Sequence, residues 1–67
     1  MVRYAKDKEQ LTRTVVRLGM DGYHFGTGVH DLEEMKKIVK SYHEGGWQTA
    51  EIVFDYNGKR YYQIWRK

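Results

Sequence analysis

The string FDYNGKRYYQIW, residues 54–65, limits the fold of this chain more than any other stretch. Asn-Gly between two runs of strand formers is a strong hairpin signal, because a type I′ turn needs positive φ at both central residues. A two-residue turn at Asn57-Gly58 pairs Tyr56 with Lys59, Phe54 with Tyr61, Ile52 with Gln63 and Ala50 with Trp65 on one face. The other face carries Trp47, Thr49, Glu51, Val53 and Asp55 opposite Arg66, Ile64, Tyr62 and Arg60, with Asp55 across from Arg60. Aromatic side chains thus fall on both faces of one hairpin.

A second turn signal stands earlier. LTRTVVRLGM, residues 11–20, is rich in β-branched residues, is followed by Asp21-Gly22, and resumes as YHFGTGV. The pattern predicts a second hairpin in which Met20 faces Tyr23, Leu18 faces Phe25, Val16 faces Thr27 and Thr14 faces Val29. Its opposite face then holds Arg13, Val15, Arg17 and Gly19 against His24, Gly26, Gly28 and His30, a cationic and sparsely packed surface. Between the hairpins, DLEEMKKIVKSYHEGG reads as a helix. Leu32, Met35, Ile38, Val39 and Tyr42 form one apolar stripe at three- and four-residue steps. Asp31 and Glu34 suit a capping box at its start, and Gly45-Gly46 is a stop.

These elements predict one α+β domain in the order ββαββ, an antiparallel four-stranded sheet with one helix packed on one face. Two small sheets, or a dimer completing one sheet, are the alternatives. Residues 1–10 are expected to form a weakly ordered arm or a short extra strand, and residues 11–67 the domain. A chain of 67 residues without Cys or Pro is near the size at which folding buries only about 60% of the extended surface, and no disulfide can staple it. The start, MVRYAKDKEQL, is too charged for a signal peptide, and no apolar run approaches the ~20 residues of a membrane helix. A soluble, cytoplasmic protein with no membrane contact is the expectation.

One helix covers only one face of such a sheet, so the second face is left to a partner. That face would carry Trp47, Val53, Tyr62 and Ile64 among Arg13, Arg17, Arg60 and Arg66, and these eight are the candidate partner-binding residues. The expected function is a small non-catalytic binding module in a regulatory or accessory role. Its partner is a protein or a second copy of itself, with Arg60 and Arg66 at the rim of an apolar centre. The alternative is single-stranded or irregular nucleic acid, stacked on Trp47 and Tyr62 with Arg13, Arg17 and Arg66 on phosphate. Twelve Lys and Arg against nine acids, a net charge of +3, permit either.

Catalytic chemistry is poorly provided for. There is no Cys, and the single Ser, Ser41, lies on the expected helix with nothing to bring a base to it. His24 and His30 are separated by about 20 Å along a strand and cannot share a metal ion. Gly26-x-Gly28 before the helix lacks the rest of a dinucleotide fingerprint, and Asp31, Glu33 and Glu34 stand where phosphate would dock. No cofactor, metal or catalytic residue is expected.

Residues 47–65, WQTAEIVFDYNGKRYYQIW, resemble the W-x-x-x-I…NGKRY hairpin of AP2-like and integrase arm-binding domains, a resemblance that implies a sheet inserted in a DNA major groove. In that family the helix follows the sheet, whereas the helix expected here precedes the hairpin, and no residue roles are carried over.

Overall fold

The computed structural model describes residues 2–67. It is a small α+β domain built of β1 (Val2–Tyr4), α1 (Lys8–Met20), β2 (His24–Val29), α2 (Leu32–Glu44), β3 (Thr49–Tyr56) and β4 (Lys59–Arg66). The four strands form one sheet in the order β1-β3-β4-β2. β3 and β4 are the hairpin expected from Asn57-Gly58, in the expected register, with Phe54 on Tyr61 and Ala50 on Trp65. Both turn residues have positive φ, 51° at Asn57 and 76° at Gly58. β2 lies antiparallel on the outer side of β4, and its register shifts between Phe25 and Thr27, so Gly26 is the extra residue of a bulge.

Three expectations need correction. The order is βαβαββ rather than ββαββ, the sheet is mixed because β1 pairs parallel to β3, and there are two helices. The segment expected as the first strand of a hairpin is α1. Asp7 caps it by accepting the Gln10 amide at 2.8 Å, while the Gln10 side chain accepts the Lys6 amide at 2.6 Å, a variant of the capping box. The Thr12 and Thr14 hydroxyls are satisfied within the helix by donating to the Lys8 and Gln10 carbonyls one turn back. Of the expected arm, Met1 lies outside the described residues; Val2–Tyr4 form β1, and α1 runs across the boundary placed at residue 10.

Asp21-Gly22 ends this helix instead of turning a hairpin. Gly22 has φ of 90°, its amide donates to the Gly19 carbonyl, and the Tyr23 amide reaches back to Leu18 at 2.9 Å. That pair of bonds is a Schellman motif, and α2 ends the same way: Gly46 donates to His43 and Trp47 to Tyr42. A positive-φ glycine serves both a helix stop and a type I′ turn, which is why the dipeptide misleads. Asp31 stands at the N-cap of α2, but its side chain makes no capping bond.

The helices lie on opposite faces of the sheet. On the face of Ala50 and Ile52, α1 brings down Leu18, closing a core with Ala5 that Leu11, Val15, Tyr23, Phe54 and Trp65 border. On the face of Val53 and Ile64 lies α2, with Met35 buried, His43 bonded to Thr49 and Tyr42 beneath Arg66. The route of the chain explains this. β1 to β2 crosses the whole sheet in one direction and β2 to β3 returns, so two crossovers of one hand fall on opposite sides.

Candidate binding surface

The second face, expected to be open, is covered. Ile64 is fully buried and Val53 nearly so, and neither presents surface to a partner. Tyr62 is half-buried on the same face. Trp47 and Arg66 meet at the end of α2, where the guanidinium stacks 4.4 Å from the Trp47 ring centre and 5.2 Å from that of Tyr42. Arg60 is held at the other end: it pairs with Asp55 at 3.2 Å and lies over the Tyr4 ring, whose hydroxyl donates to the same Asp55 carboxylate. Arg13 and Arg17 are on α1, not on a strand, and do not join the other six.

Beneath α2 the face also buries polar chemistry. Glu51 is buried, and the Thr49 hydroxyl donates to it at 3.2 Å. Since that hydroxyl has one proton to give, it accepts from His43, 2.8 Å away, so His43 carries its proton on Nε2. The His43–Thr49–Glu51 chain ties the end of α2 to β3 and helps satisfy a carboxylate that burial alone would penalise. Among the described residues no three His, Cys, Asp or Glu converge on a possible metal site, and no helix is long and apolar enough to cross a membrane.

The surface that remains free is on the first face. A helix about 10 Å across covers roughly two strands spaced ~4.8 Å apart. α1 covers β1 and β3, leaving the β4–β2 half only partly covered, with Phe25 exposed and Tyr61 and Trp65 half-buried. Its floor is aromatic: Phe25 meets Trp65 edge to face at 5.6 Å, and Tyr61 takes Phe54 on one side at 5.3 Å and His30 on the other at 4.8 Å. Trp65 donates to Gln63, and His30 donates its Nδ1 proton to the Arg60 carbonyl, so both are fixed in orientation. Gly28 makes room for Tyr61, whose hydroxyl and ring edge occupy the space of a Cβ there.

At the turn end this half-face deepens into a cleft of about 590 Å³ between Phe54, Tyr56 and Tyr61 on the sheet and Lys6, Lys8 and Leu11 at the start of α1. Thr12 and Gly19 recur on the flank of α1 that Lys8 occupies, by the helical repeat. Nothing lies within 4 Å of a Cβ built on Gly19. The rim is basic: Lys6, Lys8 and Lys59 have no carboxylate partner among the described residues, while Lys67 sits over the Tyr23 ring. Two acids line the same cleft: Asp7 accepts the Gln10 amide at the α1 cap and keeps its charge, and Asp55 pairs with Arg60.

Sequence reasoning passed over this half-face. Phe25, Phe54, Tyr61 and Trp65 were assigned to the covered core because one helix was expected, and it was expected on their side. The signal that could have found it is Asp7-x-x-Gln10 followed by Leu11, Val15 and Leu18, which marks an additional helix. Both helices precede the β3–β4 hairpin, so the arrangement implied by the AP2-like resemblance does not hold. Comparison of the chain with family models, curated proteins and solved structures finds no match.

Proposed function

We propose that this chain is a non-catalytic binding module that seats an acidic amphipathic helix of a protein partner on the partly covered half of its first sheet face. The observation that carries the reading is the unfilled helix position beside α1: a two-strand-wide aromatic floor, from the cleft at Phe54 and Tyr61 to Phe25 and Trp65, with one helix already in place as its wall. Helix-in-groove recognition uses apolar anchors at three- and four-residue spacing, and the cleft accepts one such anchor. Gly19 costs α1 about 1 kcal/mol relative to Ala, and no neighbour in the monomer requires it; a helix approaching closely does. Lys6, Lys8 and Lys59, which have no carboxylate partner among the described residues, select acidic flanks.

The test is a nuclear magnetic resonance titration with two synthetic amphipathic peptides, each with a leucine face, one flanked by glutamate and one by lysine. The glutamate peptide is expected to shift Phe25, Tyr61, Trp65 and Lys8 saturably, and Gly19→Leu to weaken it at least tenfold while the remaining spectrum stays native. Sedimentation over a concentration series accompanies it. Self-association buried on this half-face would replace the foreign helix by a second copy, and oligonucleotide shifts confined to it would replace the protein partner by nucleic acid. Absence of saturable shifts with the glutamate peptide, or equal binding of both peptides, overturns the proposal.

A further inference from the structure

The cleft at the turn end of the half-face is more selective than the floor beside it. Its walls are rings. Phe54 and Tyr61 meet at 5.3 Å with their planes inclined by 49°, Tyr56 is exposed, and Leu11 lines the side of α1. A flat occupant parallel to one of the two rings is inclined to the other, so it makes a stacked contact and an edge contact at once, the arrangements that aromatic pairs favour. At about 590 Å³ the cleft is also roomier than a leucine side chain needs, and lining atoms left without a neighbour forfeit their dispersion contacts.

We infer that the residue this cleft takes is a tryptophan, whose indole N–H is donated to Asp7. This rests on the helix reading for what carries the tryptophan, and on the cleft alone for the indole. The acceptors on the lining are unequally spent. Asp55 gives one oxygen to Arg60 and the other to the Tyr4 hydroxyl. Gln63 takes the Trp65 Nε1 proton at 3.2 Å, so the floor already holds one indole by its N–H. Asp7 accepts the Gln10 amide through Oδ1, and among the described residues no donor reaches its other oxygen. The cap itself needs a single oxygen, which serine, threonine or asparagine would supply as well. The charge of the carboxylate suits the positive end of α1 whatever enters the cleft, but its second oxygen is left to an incoming donor. Leucine and phenylalanine bring none. Tyrosine brings a hydroxyl on a smaller ring system, whereas tryptophan joins the largest aromatic surface to an N–H that only donates. The same carboxylate repels an acidic side chain, so the glutamates of the partner belong beside the cleft, with Lys6 and Lys8, and not in it.

The experiment titrates the labelled protein with indole and, in parallel, with N-methylindole, which has the same rings and no N–H, and follows the resonances of Ala5, Leu11, Phe54 and Tyr61. Saturable shifts with indole are expected, and binding of N-methylindole weaker by about fivefold. Asp7→Asn keeps a capping oxygen and replaces the free one by an NH2 donor. It should therefore erase the difference between the probes, lowering indole to the level of N-methylindole and leaving the latter little changed. A role of Asp7 confined to the helix cap would move both probes alike and overturn the inference. In a second arm, the glutamate peptide with one leucine replaced by tryptophan should bind about fivefold tighter than the all-leucine peptide. If indole binds with the expected preference and neither peptide does, the helix reading falls and the indole site stands. If both peptides bind equally well, the helix reading stands and the tryptophan anchor is overturned. Indole shifts that rise without saturation, or N-methylindole that binds as tightly as indole, overturn it as well.

Discussion

The guanidinium of Arg66 lies 4.4 Å from the centre of the Trp47 ring, joining the last residue of β4 to the loop that follows α2. Both residues had been assigned to a partner, and the contact shows that they first serve each other. A cation over a partly exposed indole contributes about 0.5–1 kcal/mol. A double-mutant cycle of Trp47→Ala and Arg66→Ala in urea should therefore give a coupling energy in that range. Additivity of the two substitutions would show that the stack contributes nothing to folding.

Tyr61 rests on Gly28 so closely that any side chain there must move the ring. Gly28→Ala should destabilise the fold by about 1–3 kcal/mol through overpacking. Combining it with Tyr61→Ala should recover much of that loss relative to Tyr61→Ala alone. Thermal unfolding of the four proteins reads the difference, since 1 kcal/mol moves the midpoint of a domain this small by roughly 4–8 °C.

Two glycines should respond to alanine with opposite signs. Gly46 holds φ of 88° at the end of α2, a conformation that costs an L-residue about 1–2 kcal/mol, so Gly46→Ala should destabilise by that amount. Gly19 is inside α1 with open space around its missing Cβ, and Gly19→Ala should stabilise by about 0.5–1 kcal/mol. If Gly19→Ala destabilised the chain, the space beside α1 would not be free.

Thr49 links His43 to the buried Glu51. Thr49→Val keeps the volume and removes the donor, and the loss should be about 1–3 kcal/mol. Thr49→Ser should retain most of the stability, because it keeps the hydroxyl. Equal losses in both variants would assign the effect to packing of the methyl group.

The parts of this fold written in local pattern were legible. Asn57-Gly58 gave the β3–β4 hairpin in its register, and the stripe from Leu32 to Tyr42 gave α2, because a primed turn and an apolar period of 3.6 need no knowledge of the rest of the chain. α1 was hidden by Val15, Val16, Thr12 and Thr14, whose preference for strands is overridden by the Asp7 cap and the burial of Leu18. Losing α1 also displaced the candidate site. Val53 and Ile64 alternate as residues of a binding face do, and a buried face follows the same alternation. Only the path of the chain, which sends α2 over them and leaves Phe25 and Trp65 with half a cover, separates the two cases.

The order of strands carries a consequence for how the molecule is made. β3 and β4 are the two inner strands, and β1 and β2 each have a single neighbour in them. During synthesis residues 2–44 therefore emerge as helices and edge strands with nothing to pair with, and the sheet cannot assemble until residues 49–66 have left the ribosome. The turn at Asn57-Gly58 closes locally and fast, after which the waiting segments dock from either side. Residues 49–66 thus begin the sheet, and the elements that precede them join it afterwards.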